Sequence, residues 1–597
     1  MWLILGLWAF VTALATWRWS QSTPTWHATI PDDIPVYMRA PSQGYPSYYN
    51  TTGTRGAVAC ELDVCSNVGA YILEKGGSAA DAMIATLSCV GVMDSFHSGL
   101  SGGGFALVKT RYSDPVMIDY RETAPQAAHR DMYAKAPPNS SIVGGLAVAV
   151  PGEVRGWEQL HRLYGRLPWE QLLEPSIVIA RRGFRVPAQL YSKIQWGGNL
   201  ACLAPTLVPT FCPDGEPLPA GSLLRLPALA DTLEQIATYG PNVMYEGPIA
   251  ERMIETIQQH GGIMTMDDLR QFQVRIGQAA SIDFRDKYRV WTTTAPSSGS
   301  VILSTLKTME QYPDEPYYET DALHTHRFIE ATKFSYGERT FLADPAFLPN
   351  VTAWEEHIIQ PSVAKKRFDK IRDDTVRRMH KYDPQHWDVL SDKGTSHLNA
   401  VDAEGMSISV TTTINSGIWG AFLSTPDGIL LNNDMDDFSQ PDRSNLFGYA
   451  PSPANYIAPG KRPMSSMSPF LIENRHTGEV EVIGGSAGGS RIITANLLLA
   501  YTYMSFHGQI DMQSVIDRPR WHHQLVPDLA FFEYEMPTWP FWHGYSNRTV
   551  EALQAKGHHP YFFGPGVSTA QAIVRRPDGH FVTASEVRQE EARGAAV

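Results

Sequence analysis

The stretch Gly394-Thr395-Ser396-His397, with Leu398 to Thr413 and Ile414-Asn415 behind it, decides how this chain is read. Alone, Thr and Ser beside a glycine are ordinary turn residues. Their setting is not ordinary. Leu398 to Thr413 reads as strand, and Thr411-Thr412-Thr413-Ile414-Asn415 falls within its reach. Next come Asn432-Asn433-Asp434-Met435-Asp436-Asp437, Lys461-Arg462-Pro463-Met464-Ser465-Ser466-Met467 and Gly484-Gly485-Ser486-Ala487-Gly488-Gly489-Ser490. Gly428 to Asn433, Pro469 to Ile472 and Glu479 to Ile483 read as further short strands, and a helix is expected near Ile492 to Met504. Residues 439–463, rich in Gly, Pro and Asn, form a lid candidate.

Upstream the text is more helical. Glu61 to Lys75 has helical spacing and stops at Gly76-Gly77. Ser78 then caps a second helix from Ala79 to about Met93. Residues 153–182 and 321–340 read as amphipathic helices, and 250–272 as a helix broken at Gly261-Gly262. Ala106 to Lys109 and Val116 to Tyr120 read as strands. The glycine run Gly99-Leu100-Ser101-Gly102-Gly103-Gly104 lacks the Lys-Ser/Thr of a phosphate loop, so close backbone packing is the better reading. The coarse pattern is a helix-rich first part and a strand-rich last third.

The chain has 597 residues, with 49 Lys and Arg against 62 Asp and Glu, a formal net charge of −13. That balance argues against nucleic acid as a partner, since phosphate binding needs a basic footprint. Hydrophobic residues at 43% and aromatics at 11% supply a sizeable core and exclude whole-chain disorder. Residues 1–17 carry no charged side chain. They read either as a signal peptide, with a small-x-small site at Ala13-Leu14-Ala15, or as a signal anchor, and both stay open. Residues 18–56 read as a Pro-, Ser- and Tyr-rich stem. Sequons at Asn50, Asn139, Asn350 and Asn547 support export, with the catalytic part on the lumenal or extracellular side. The five cysteines show no C-x-x-C zinc spacing, and all precede residue 213. Four can form two disulfides, none of which would tie the last third to the rest.

These motifs resemble those of the gamma-glutamyltransferase (glutathione hydrolase) family of the N-terminal-nucleophile superfamily. The similarity runs from about Ala57 to the C-terminus. It includes Gly76-Gly77-Ser78-Ala79-Ala80-Asp81-Ala82, Arg121-Glu122-Thr123-Ala124-Pro125, Val150-Pro151-Gly152 and Pro296-Ser297-Ser298-Gly299 in family order. Pro451 to Tyr456 with Pro459-Gly460-Lys461 is more like eukaryotic members. The resemblance implies a four-layer αββα sandwich and a proenzyme cut between Gly394 and Thr395. A large chain, 57–394, and a small catalytic chain, 395–597, would then form one intertwined domain as a heterodimer. Cutting frees the Thr395 α-amino group, which at a pKa near ~8 can act as the base that a lone hydroxyl lacks.

By the same resemblance Thr413 holds the Thr395 hydroxyl, and Gly488 and Gly489 donate N–H groups to the oxyanion. Arg121, Ser465 and Ser466 bind a substrate α-carboxylate. Asn415, Asp434 and Asp437 accept from its α-ammonium. Cys65, Cys89, Cys202 and Cys212 are the disulfide candidates. No metal or organic cofactor is implied. The expected partners are small molecules: glutathione, its conjugates, and amino-acid or dipeptide acceptors. Membrane contact would come only through the N-terminal segment. Singly, each group has a blander reading. Arg121 would be an ion pair, Ser465-Ser466 a turn, and Asp434 to Asp437 a solvated acidic turn or a calcium loop. His397 reads as structural. Three departures stand out: Asp434 occupies a place where relatives carry Glu or Gln, Phe447 one where some bacterial members have Tyr, and Asn415-Ser416-Gly417-Ile418-Trp419 keeps the Asn but has its own loop on the acceptor side. The competing readings are a glutaryl-type acylase and an uncleaved binding protein.

Overall fold

Ser396–Asp402 and Ser407–Thr413 form an antiparallel hairpin, with Ser396 opposite Thr412 and Val401 opposite Ser407. Asp402 closes its turn by accepting from the N–H groups of Glu404 and Met406 at 3.0 and 3.1 Å. Every residue of both strands is buried. This is a computed structural model, and it describes residues 33–383, 385, 387, 394–415, 419–441, 450–534 and 543–597.

The hairpin lies at the centre of a seven-stranded sheet. Its order is Ala595–Ala596, Gly56–Ala59, Ser396–Asp402, Ser407–Thr413, Gly103–Lys109, Val116–Asp119 and Arg275–Gln278, all antiparallel. A second antiparallel sheet runs Thr52–Gly53, Phe581–Ala584, Thr569–Arg575, Val480–Ala487, Phe470–Asn474, Tyr288–Thr292 and Ala280–Phe284. The two sheets stack. The Ser409 hydroxyl donates to the Gly484 carbonyl at 3.0 Å, and Leu107, Val401, Leu471, Ile483 and Ile573 share one apolar cluster between them.

Helices cover both outer faces. Asp63–Glu74 and Ala79–Met93 pack on the first sheet; Gly299–Met309 and Arg491–Ser505 pack on the second, with Ala322–Arg339 against Gly299–Met309. The order is therefore αββα, which is the expected fold class. Ser78 and Asp81 form a reciprocal capping box at the start of Ala79–Met93. A Cys65–Cys89 disulfide joins the first two helices, and Cys202–Cys212 closes a short loop elsewhere. Cys60 is free, and burial pushes its thiol up to about 12. The glycine run is a packing device. A Cβ on Gly102 would stand 2.2 Å from the Thr413 carbonyl oxygen, and one on Gly104 2.2 Å from that of Thr411. Only bare backbone lets Gly103–Lys109 pair with the hairpin.

Several expectations are corrected. The first part is not simply helix-rich nor the last third strand-rich, because each sheet takes strands from both sides of Gly394-Thr395. The stem expected over 18–56 does not extend that far. Val36–Val597 is one compact unit, Tyr37, Met38 and Tyr49 are buried, and Thr52–Gly53 is an edge strand. Residues 153–182 are two helices, Glu153–Tyr164 and Trp169–Arg182, separated by Gly165 and Pro168. Gly428 to Asn433 is not a strand. Its backbone bonds inward to Leu423 and Thr425 across an isolated bridge. The apolar segment 1–17 lies outside the described residues. Among those described, no helix is long and apolar enough to cross a membrane.

Candidate active site

Thr395 stands just ahead of the strand Ser396–Asp402 and is 5% exposed. Its hydroxyl donates to the carbonyl of Gly394, and the Thr413 hydroxyl donates to the same oxygen at 2.9 Å. Two hydroxyls thus converge on the carbonyl of the Gly394–Thr395 peptide. Gly394 has φ +79, a left-handed conformation that suits glycine. The Asn415 N–H donates to the Thr413 hydroxyl at 2.7 Å and fixes its direction. Asn415 itself has φ +75, and its side-chain amide donates to the Asn433 carbonyl at 3.0 Å.

Gly488 and Gly489 come after the strand Val480–Ala487 and precede the helix Arg491–Ser505. Two cross-sheet contacts set their register. Ser409, opposite Asn399, reaches Gly484; a Cβ on Gly485 would fall 2.2 Å from the His397 ring. Both contacts lay the strand that leads into Gly488 and Gly489 against the strand that begins at Ser396. N–H groups ahead of a helix's first turn have no partner within the helix and feel its positive end, which suits an oxyanion. His397 lies between the sheets, bonded to Thr411 and Asn399 at 3.0 and 3.1 Å. Burial lowers its pKa to about 3, so the ring is neutral and structural.

Arg121 is fully buried. Its guanidinium donates to Asp434 and Asp437, and to Glu122 at 3.1 Å. The groups assigned separately to a carboxylate and an ammonium therefore form one cluster here, with three acidic side chains around a single cation. Burial and the neighbouring carboxylates raise the Asp434 carboxyl well above its ordinary range, opposed by Arg121. Burial raises Glu122 to about 7. Asp434–Asp437 is one 3₁₀ turn, a geometry governed by Arg121.

Asn432, which opens the acidic motif but was given no role of its own, anchors this turn. It accepts from the backbone of Ala149 and Asp434 at 2.9 and 3.1 Å and donates to Ser101 and Ala149 at 2.6 and 2.9 Å. Asn455 does the same on the other side. It donates to the Asp437 carbonyl at 2.7 Å and accepts from the Met464 N–H at 3.1 Å, which joins the acidic turn to the serine pair. The Ser466 hydroxyl accepts from Arg339 at 3.1 Å, and the Ser465 hydroxyl from the Met467 N–H at 3.2 Å.

Asn50, Asn139, Asn350 and Asn547 are all exposed. Residues 416–418 of the loop after Asn415, and Phe447 of the lid candidate, lie outside the described residues.

Stacked antiparallel sheets between helices, with a threonine heading a central strand, define an N-terminal-nucleophile hydrolase type of fold. A cephalosporin acylase from Bacillus halodurans has this fold: TM-score 0.76 at 24% identity, covering 96% of this chain and 99% of that one. The gamma-glutamyltranspeptidase family model matches residues 65–596, and the chain belongs to that family of enzymes. The glutathione hydrolase proenzyme of Arthroderma benhamiae is 39% identical over 571 residues, 93% of this chain and 95% of the relative. The glutathione hydrolase of Aspergillus flavus is also 39% identical, over 90% of this chain and 89% of its own length.

Proposed function

We propose that the chain is a proenzyme that cuts itself between Gly394 and Thr395 and then uses Thr395 to move γ-glutamyl groups. The observation that carries this reading is the convergence of the Thr395 and Thr413 hydroxyls on the Gly394 carbonyl. Attack by the Thr395 Oγ on that carbonyl carbon, with Thr413 as donor to its oxygen, turns the amide into an ester, and water releases it. The freed α-amine then takes the Thr395 proton as substrate binds. A γ-glutamyl ester forms on Thr395, Gly488 and Gly489 donate to the oxyanion, and water, an amino acid or a dipeptide accepts the acyl group. Glutathione and glutathione S-conjugates are the proposed donors.

The cluster around Arg121 supports a zwitterionic α-amino-acid end. A glutaryl group lacks the amine and would bring no second cation to the three acids that share Arg121. The test is turnover of γ-glutamyl-anilide beside glutaryl-anilide. Release from the first alone fits this reading; preference for the second would make the protein an acylase. Entry to the secretory pathway belongs to the same proposal, supported by two disulfide-bonded pairs and four exposed sequon asparagines. Intact mass before and after deglycosylation checks it.

Two further results are expected. Gly488→Ala puts a Cβ 2.5 Å from the Val567 carbonyl oxygen at φ +123, so the backbone must turn. Losing one oxyanion donor costs about a hundredfold, which initial rates at saturating substrate will show in kcat. The second concerns pH. Glu122 is raised to about 7, so below that pH it keeps its proton and the cluster is less negative. KM for an ammonium-bearing substrate should therefore rise as pH falls from 8 to 6, by up to about tenfold per pH unit below 7. A flat KM over that range would show that the Glu122 proton does not govern ammonium binding.

A further inference from the structure

Two buried residues reach both threonines through their neighbours in sequence. Glu61 Oε1 accepts from the Ser396 hydroxyl at 2.6 Å, and Ser396 is the residue directly after Thr395. The same oxygen is 3.0 Å from His97 Nε2. The His97 carbonyl accepts from the Ile414 N–H at 3.0 Å, and Ile414 is the residue directly after Thr413. Glu61 and His97 are 2% and 5% exposed. Glu61 precedes the helix Asp63–Glu74, and His97 lies just beyond the helix Ala79–Met93. The Cys65–Cys89 disulfide ties those helices together, so both residues stand on one braced platform.

Resting on the proposal that Thr395 becomes a free N-terminus, we infer that Glu61 and His97 are positioning residues for it. Before cutting, the peptide bond to Gly394 helps hold Thr395. Afterwards that tether is gone, and no disulfide links residues before 394 to those after it among the described pairs. The Glu61–Ser396 bond then becomes a noncovalent restraint from the large chain on the first strand of the small one. The bond from Ile414 to His97 holds the segment that carries Thr413 and Asn415, so one pair sets the spacing of nucleophile and donor. A nucleophile displaced by ~1 Å can lose 10²-fold in rate.

Asp94 lies close enough to Glu61 and His97 for the three to share a cation, and both its carboxylate oxygens are buried without a hydrogen-bond partner. Against a metal site, Glu61 and His97 already direct their facing atoms at each other. The largely buried Lys193 ammonium also supplies positive charge toward Asp94 and Glu61. The geometry therefore points to a hydrogen-bonded brace.

The experiment compares Glu61→Ala, Glu61→Gln and Ser396→Ala with the parent, using the full chain. Cutting is followed by intact mass, and kcat and KM are measured per small-chain N-terminus. Glu61→Ala should lower kcat tenfold to a hundredfold with KM within twofold, because substrate binding sits on other residues. Glu61→Gln should recover most of that loss, since one amide oxygen can accept both bonds. Ser396→Ala deletes only a hydroxyl and should lower kcat severalfold, and it carries the test if Glu61→Ala does not fold. Variants that match the parent in kcat, or that shift kcat and KM together, would overturn the inference while a cut, active parent leaves the proposed function standing. An uncut, inactive parent would overturn both. One equivalent of a divalent cation in the parent, lost in Glu61→Gln, would replace the brace with a metal site.

Discussion

Thr395→Ala is expected to remain a single uncut chain and to lose activity by ~10⁴-fold or more, while the parent gives two chains, the smaller beginning at Thr395. The size of the effect comes from the double use of one side chain. The Thr395 Oγ is both the atom poised beside the Gly394 carbonyl and the proposed acyl carrier. Removing it blocks maturation and turnover together, and nucleophile deletions in related chemistries cost this much or more. Alanine adds no bulk at a site that is already buried, so the precursor should still fold. Intact mass and N-terminal sequencing read the first half, and γ-glutamyl-anilide turnover the second. An alanine variant that still splits at this bond would remove Thr395 as the cutting residue.

Arg121→Gln is expected to lower kcat/KM by about a thousandfold and to destabilise the protein by ~3–5 kcal/mol. Arg121 is the cation shared by Glu122, Asp434 and Asp437, all buried beside it. Without it the three acids repel one another in a low-dielectric pocket, and removing one partner of a buried pair typically costs that much. The same residue is the proposed clamp for the substrate carboxylate, which a neutral amide holds far less well. Arg121→Lys separates the two effects. It restores the positive charge and so much of the stability. It cannot fork between Asp434 and Asp437, so kcat/KM should stay low. Urea denaturation with steady-state kinetics distinguishes these outcomes, and a stable, fully active Arg121→Gln would exclude the clamp.

The legible parts of the sequence were those where local chemistry and the final fold agree. Gly76-Gly77 and Ser78 mark a helix end and a helix start, and the capping box with Asp81 is there. The central hairpin was readable as strand although all its residues are buried. The helix Gly299–Met309 was not, because Ser298 makes no cap and donates its hydroxyl to the Ser465 carbonyl. Ile429-Leu430-Leu431 looked like a strand because a buried irregular loop and a buried strand are equally apolar. The site residues were legible as a set of motifs in order. Their joining was not. Arg339, Glu61 and His97 are single polar residues without a pattern, and the partners that join them to the site lie far away in sequence; Asn432 and Asn455 fall inside quoted motifs that gave no hint of their bonds.

The interleaving of the two sheets changes the kinetics of the protein's life. The precursor folds as one molecule, and its rate of renaturation does not depend on concentration. In the proposed cut form each sheet would be built from two polypeptides, with strands of one flanked by strands of the other. Refolding of the mature form is then a second-order encounter between two chains, neither of which has a complete sheet of its own. Recovery after denaturation should rise with protein concentration for the cut form and not for Thr395→Ala. Maturation would thus work as a ratchet, with the fold reached easily once and regained poorly after it is lost.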